Sequence, residues 1–139
     1  MADVHDKLTR SFNMSRILSK NTKPELVVRQ ELWKNGFRYR LHVKTLPGKP
    51  DIVLSRYNAI IFIHGCFWHG HPNCRYFKIP ETRKSWWTSK INQTKNLDII
   101  NKAKLAEQGW RVIEIWECEL RPNKIDSTIH SLIKRLKAF

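Results

Sequence analysis

Acidic residues are scarce in this chain. Twelve aspartates and glutamates stand against 26 lysines and arginines in 139 residues, a formal charge of +14. A compact fold with that charge repels itself unless a polyanion shares its surface, so nucleic acid is the expected partner. Both halves of the chain are basic, which excludes a detachable basic tail on a neutral body. Long apolar runs are also missing. No stretch approaches the ~20 residues that span a bilayer, the opening MADVHDKL has no signal-peptide core, and no segment reads as a basic amphipathic anchor. The expectation is a cytoplasmic protein with no membrane partner. Cysteine is limited to three residues, which cannot all pair within one chain, so thiols in a reducing compartment are expected. Glycine and proline are few, and no repeat, linker or low-complexity stretch appears, so residues 1–139 read as one domain.

The first 20 residues are basic and weakly amphipathic, either a short helix or an arm that orders on a partner. Thr22-Lys23-Pro24-Glu25 is a capping box with proline in the first turn. Leu26, Val27, Leu32 and Trp33 continue a helix that Asn35-Gly36 ends. The period then changes to two: Phe37, Tyr39 and Leu41 alternate with Arg38, Arg40 and His42, a half-exposed strand. Asp51–Leu54 and Ala59–Ile63 form a hairpin, the second strand apolar enough to be central. Residues 64–84 are irregular. A long helix is predicted from Ser85 to Gln108 with Trp87, Ile91, Leu97, Ile100 and Leu105 on its apolar side. A strand over Trp110–Glu117 follows, then a helix with Ile125, Ile129, Leu132, Ile133 and Leu136 as its stripe. The order α-β-β-β-loop-α-β-α implies a mixed α/β sheet with helices on both faces.

Cys66, His71 and Cys74 cluster in the irregular stretch, and Cys118 follows just past a strand. Three thiolates and an imidazole make a closed tetrahedral set typical of structural zinc, with no open position for catalysis. Asp51 opens one hairpin strand and His64 ends the other, with His69 in the loop beyond. A carboxylate and two imidazoles converging at a sheet edge could bind Mg²⁺ and deprotonate water. Phe67 and Trp68 lie between the zinc ligands and read equally as core or as wedges for base steps, whereas Trp87 reads locally as core.

Pro47-Gly48-Lys49-Pro50-Asp51, Ile61-Phe-Ile-His-Gly-Cys-Phe-Trp-His-Gly-His71, Gly109-Trp-Arg-Val112 and Trp116-Glu-Cys-Glu-Leu120 resemble the very short patch repair (Vsr) endonucleases. MADVHDKLTRS, Asn13-Met14, Glu25 and Phe77-Lys78 extend the likeness over nearly the whole chain. The resemblance implies a restriction-endonuclease-like three-layer fold with a zinc-stabilised loop. It also implies Mg²⁺-dependent nicking of double-stranded DNA 5′ of the thymine in a T·G mismatch. By that likeness Asp51 and the backbone carbonyl of Ile63 hold Mg²⁺, His69 is the general base, His64 supports the water and phosphate, and Glu25 assists. Cys66, His71, Cys74 and Cys118 match the zinc ligands. Phe67, Trp68 and Trp87 match an aromatic wedge, with Trp86 one residue away. Met14 matches a minor-groove contact within an arm over residues 1–20, and Lys90 a further DNA contact. A monomer acting at the nucleoid, with other mismatch-repair proteins as candidate partners, is the implied setting.

The chain departs from the family pattern at three places. Ile63 stands where threonine is common, one residue around Pro72-Asn73 lengthens the spacing before Cys74, and Thr94 and Leu97-Asp98 replace an asparagine and an Arg-Asp pair that help read the mismatch. The alternatives are a same-fold endonuclease with another DNA target or double-strand cleavage, and a zinc-stabilised module that binds DNA without cutting.

Overall fold

The structure, a computed structural model, describes residues 22–138. The expected arm over residues 1–20, with Met14, lies outside the described residues. Helix α1 (Lys23–Lys34) begins as its capping chemistry dictates: the Thr22 hydroxyl accepts the Glu25 N–H at 3.4 Å, and Pro24 sits where a helical N–H would have no partner. Three antiparallel strands follow, β1 (Arg40–Leu41), β2 (Ile52–Leu54) and β3 (Ala59–His64), with a 3₁₀ turn at Ser55–Tyr57 closing the hairpin. Helix α2 (Lys84–Glu107) crosses over, and β4 (Arg111–Trp116) returns parallel to β3 at the sheet edge. A 3₁₀ turn (Glu117–Leu120) leads into helix α3 (Ile125–Lys137). The expected mixed α/β architecture is what the chain adopts.

Period-two alternation divides the strand residues between two cores. Ile52, Leu54, Ile61, Ile113 and Ile115 pack with Val28 and Leu32 of α1 and Ile129, Leu132 and Leu136 of α3. On the other face, Val53 and Ile60 pack with Val43 and with Leu105 of α2, supported by Phe62, Trp110 and Val112. His64 follows Phe62 by two residues, and Glu114 follows Val112 by two, so both project on the α2 side.

Two elements differ from the sequence reading. The strand expected over Phe37–His42 shrinks to a two-residue ladder because its aromatic side chains dock instead. Phe37 is buried 5.2 Å from the Tyr57 ring, and the Tyr39 hydroxyl donates to the Arg29 carbonyl at 2.9 Å. On α2 only Ile91 and Leu105 of the expected stripe are buried, whereas Leu97 and Ile100 are 58% and 49% exposed. The helix passes over a polar cavity between those two anchors, and Asp98, Asn101 and Lys102 occupy the inward positions there. Among the described residues no helix is long and apolar enough to cross a membrane.

Arg111, at the start of β4, fastens the layers. Its guanidinium donates to the Tyr57 carbonyl at 3.0 Å and to the Arg135 and Leu136 carbonyls at 2.8 and 3.2 Å, satisfying acceptors at the end of α3. Arg111→Ala should therefore cost roughly 1–3 kcal/mol, from lost charged hydrogen bonds. Urea unfolding would measure it, and an unchanged midpoint would show that the three carbonyls need no donor.

Candidate active site and metal centre

The segment after β3 folds into successive tight turns. His69 N–H reaches the Gly65 carbonyl (3.2 Å), Gly70 N–H the Phe67 carbonyl (3.2 Å) and His71 N–H the Cys66 carbonyl (2.9 Å). Gly70 has φ +60°, and a Cβ there would lie 2.8 Å from Ile91 Cγ2 and Lys95 Cδ, so the turn is pressed against α2. Two faces of this segment carry chemistry.

One face borders a cavity of about 230 Å³ between the sheet end and α2. Asp51, Ile63, His64, His69, Asp98 and Glu114 are among its lining residues. The structure thus brings together the three residues that the sequence reading had converging at a sheet edge. His69 Nδ1 is 2.7 Å from Asp98 Oδ2, and His64 Nε2 is 2.9 Å from Glu114 Oε2. The two imidazole centroids are 4.2 Å apart. The Ile63 N–H donates to Asp51 Oδ2 at 2.8 Å. Continuing the β2–β3 register places Pro50 opposite Ile63, and proline has no N–H to offer the Ile63 carbonyl.

Behind Asp51 lies Glu25, 1% exposed, held by Arg29 at 2.8 Å and with His42 Nε2 3.2 Å from its carboxylate. Burial pushes the Asp51 carboxyl up to about 7; the Ile63 N–H opposes this, and neighbouring Glu25 adds to the rise. Glu114 moves the other way, to about 2, because His64 and then Lys102 hydrogen-bond its carboxylate, against the cost of burial. Ligand atoms of Glu25, His42 and Asp51, and those of His64, His69 and Asp98, lie within 4.8 Å of one another, so either set could hold a cation.

The other face gathers Cys66, His71, Cys74 and Cys118, whose ligand atoms also lie within 4.8 Å of one another. Cys118 Sγ is 3.5 Å from His71 Nδ1, close to the edge of about 3.5 Å that metal–sulfur and metal–nitrogen bonds of about 2.3 and 2.0–2.1 Å span at a tetrahedral angle. The Cys118 N–H donates to Cys66 Sγ at 3.4 Å. Burial pushes the Cys66 thiol up to about 12 and lowers His71, which favours the neutral imidazole a metal needs. A buried thiol that resists ionisation becomes a thiolate readily only beside a cation, so the donor set suits a metal ion.

The aromatic residues form a third group. Phe67 packs edge-on against Trp68 (5.3 Å) and Trp87 (5.3 Å), and Trp68 lies 5.6 Å from Trp87. Trp87 joins this cluster directly, while Trp86 reaches it through Trp87 (4.8 Å) and is 45% exposed. Lys90 is exposed one turn further along α2.

Asp98, Lys102, Glu114 and His42 were not singled out as site residues from sequence. Asp98 follows buried Ile91 by seven positions and so shares its helix face. Glu114 is the one charged residue between Ile113 and Ile115, a break in an apolar strand that could have flagged it. His42 carried no comparable signal, since its approach to Glu25 depends on a left-handed backbone at φ +49° just past β1.

A family profile described as DNA mismatch endonuclease Vsr matches residues 2–75. The chain is 44% identical to the type II nicking enzyme V.NmeAIP of Neisseria meningitidis serogroup A, over 99% of this chain and 98% of that protein. It is 47% identical to the type II nicking enzyme V.XorIIP of Xanthomonas oryzae pv. oryzae, over 86% of this chain and 88% of that protein. It is 43% identical to the DNA mismatch endonuclease Vsr of Escherichia coli K12, over 99% of this chain and 86% of that protein.

The raised Asp51 carboxyl has a stability consequence. Its folded value of about 7 lies above the ordinary 3.8, so the metal-free protein loses stability as pH rises from about 4 to 7 and none from this group outside that window. Asp51→Asn, which cannot ionise, should equal the parent near pH 4 and exceed it by on the order of 3 kcal/mol above pH 7. Chelator-treated protein unfolded in urea at both pH values checks this, and a pH-independent difference would contradict it.

Proposed function

Because this chain belongs to the DNA mismatch endonuclease Vsr family and is a DNA endonuclease, we propose that it nicks one strand of duplex DNA 5′ of the thymine in a T·G mismatch. The observation that carries the reading is the convergence of Asp51, His64 and His69 on one cavity. Asp98 holds Nδ1 of His69, so an Nδ1–H tautomer leaves Nε2 with a lone pair. His69 is then the general base: Nε2 takes a proton from water as the water oxygen bonds to phosphorus and the bond to the leaving oxygen breaks. His64 supports the water and phosphate beside it.

Asp51 and the Ile63 carbonyl would hold Mg²⁺, a hard cation suited to oxygen donors. The carbonyl that faces Pro50 and the carboxyl whose ionisation burial opposes both support that fit. When bound, Mg²⁺ supplies neutralisation of charge gathering on the phosphate oxygens and a lowered pKa for attacking water. Glu25, buried beside Asp51, adds negative charge that favours a cation there. Cys66, His71, Cys74 and Cys118 would hold Zn²⁺ in a structural role, since the four donors fill a tetrahedron.

Phe67, Trp68 and Trp87 form a wedge entering the base stack beside the mismatch, where unstacking costs a few kcal/mol and an apolar face recovers part of it. Met14, in an arm over residues 1–20, contacts the minor groove, and Lys90 contacts DNA from α2. The protein acts as a single-domain monomer in the cytoplasm, with other mismatch-repair proteins handling the nick. A same-fold endonuclease with another target is the second reading, favoured by exposed Leu97 where the family carries arginine.

A strand-resolved assay with Mg²⁺ on T·G and fully paired duplexes tests the reaction. A nick confined to the thymine strand is expected. Equal cutting of paired DNA, or of both strands, transfers the protein to the second reading. Asp51→Ala and His69→Ala should each lower nicking by at least about 10²-fold while binding persists, and undiminished nicking by either would misplace the catalytic centre. Trp68→Ala should weaken discrimination between mismatched and paired duplexes more than overall affinity, which phosphate contacts dominate. Loss of affinity equal on both duplexes would make Trp68 a packing residue. Cys118→Ser should lower both zinc stoichiometry and melting temperature, and an unchanged zinc content would remove Cys118 from the ligand set.

A further inference from the structure

His64 carries a support that the reaction above leaves unused. Its side chain is buried, stacked on Phe62 at 5.7 Å with an interplanar angle of 8° and tilted against Trp116 at 5.0 Å. Its Nε2 meets Glu114 Oε2 at 2.9 Å, and the other oxygen of that carboxylate meets Lys102 Nζ at 2.6 Å. Glu114 stands opposite Phe62 in the β3–β4 register, so both partners hang from one rigid ladder. Its two oxygens face the His64 ring nitrogen and the Lys102 ammonium, so the carboxylate is paired with a cation and acts as acceptor on both sides. The nitrogen that faces an ionised carboxylate must carry the hydrogen.

We propose that Glu114, braced by Lys102, is a positioning residue that fixes His64 as its Nε2–H tautomer and leaves the Nδ1 lone pair to accept a hydrogen from water at the reacting phosphate. The proposal rests on the reading that His64 serves the reaction. It goes beyond that reading by assigning which ring nitrogen acts and what sets it. The two histidines are held in opposite senses, His69 by Nδ1 and His64 by Nε2, so rings 4.2 Å apart are left with different nitrogens outside these bonds. Lys102 has a second effect. It balances the charge of Glu114, so the orienting carboxylate does not repel an incoming phosphodiester, and it ties down the oxygen not used by His64.

Single-turnover nicking of the duplex that the parent cuts, with the full chain loaded with zinc and Mg²⁺, tests this in four variants. Glu114→Ala should slow cleavage about 10- to 100-fold with duplex affinity changed less than about threefold, the usual scale for losing a carboxylate that orients an imidazole. Glu114→Gln keeps an acceptor for Nε2–H and should restore most of the lost rate, and Lys102→Met should fall between parent and Glu114→Ala. Long-range ¹H–¹⁵N spectra of the parent, with the His64 signals assigned by their absence in His64→Ala, should show Nε2 protonated and Nδ1 bare. A merely structural Glu114 would lower the melting temperature in both variants without moving those nitrogen shifts. Cleavage by Glu114→Ala within twofold of the parent while His64→Ala is inactive would overturn the proposal, as would an Nδ1–H tautomer in the parent. Full-rate cleavage by His64→Ala would instead overturn the reading beneath it. If Glu114→Ala fails to fold, the parent spectrum and the Glu114→Gln rate decide.

Discussion

The partners of His64 and Cys66 depend on one parallel ladder, the pairing of β3 with β4. Its register sets Phe62 against Glu114 and His64 against Trp116. Two residues further on, the same register brings Cys66 to Cys118, whose N–H reaches the Cys66 sulfur at 3.4 Å. A slip of one residue would turn Glu114 and Trp116 toward the apolar core and carry Ile113 and Ile115 into the polar cavity. The hydrophobic division of the two faces therefore protects the site: Ile61, Ile113 and Ile115 can be buried with α1 and α3 only if the histidine and the carboxylate emerge on the α2 side.

That ladder also explains why the site can be polar yet ordered. His71 stacks on Trp116 at 4.0 Å, and His64 leans on the same indole at 5.0 Å. One tryptophan separates the Cys-His cluster from the cavity and touches a histidine of each. Four carboxylates, Glu25, Asp51, Asp98 and Glu114, gather at this end of a chain whose net charge is +14. The broad field draws a polyanion to the surface, and the local concentration of acid favours a cation in the cavity within it. These opposite preferences are compatible because they act over different distances.

Much of this was legible beforehand. The N-cap at Thr22, the hairpin of Asp51–Leu54 with Ala59–Ile63 and the period of the last helix come from local chemistry, and local chemistry is what a sequence displays. The Cys-His set was legible for another reason: three cysteines and a histidine are the donor types of a closed metal site, and the fold brings their ligand atoms within 4.8 Å of one another. What escaped was whatever depends on one element passing over another. Leu97 and Ile100 looked like core because apolar residues at helical spacing usually are, but α2 spans a cavity at that point and turns Asp98, Asn101 and Lys102 inward. Glu114 and His42 were hidden similarly, since their partners His64 and Glu25 lie far away in the chain.

The contact between Cys66 and Cys118 has a meaning in polymer terms. The two residues are 52 positions apart, and the whole of α2 lies between them. An ion gripping both ends would close a ring of chain that includes that helix and narrow the unfolded ensemble, as a covalent crosslink would. Unlike a disulfide, such a closure needs no oxidising surroundings. With a metal held there, the closure would follow the supply of metal, and the tethering of the layer that carries Asp98 and Lys102 would be a chemical equilibrium.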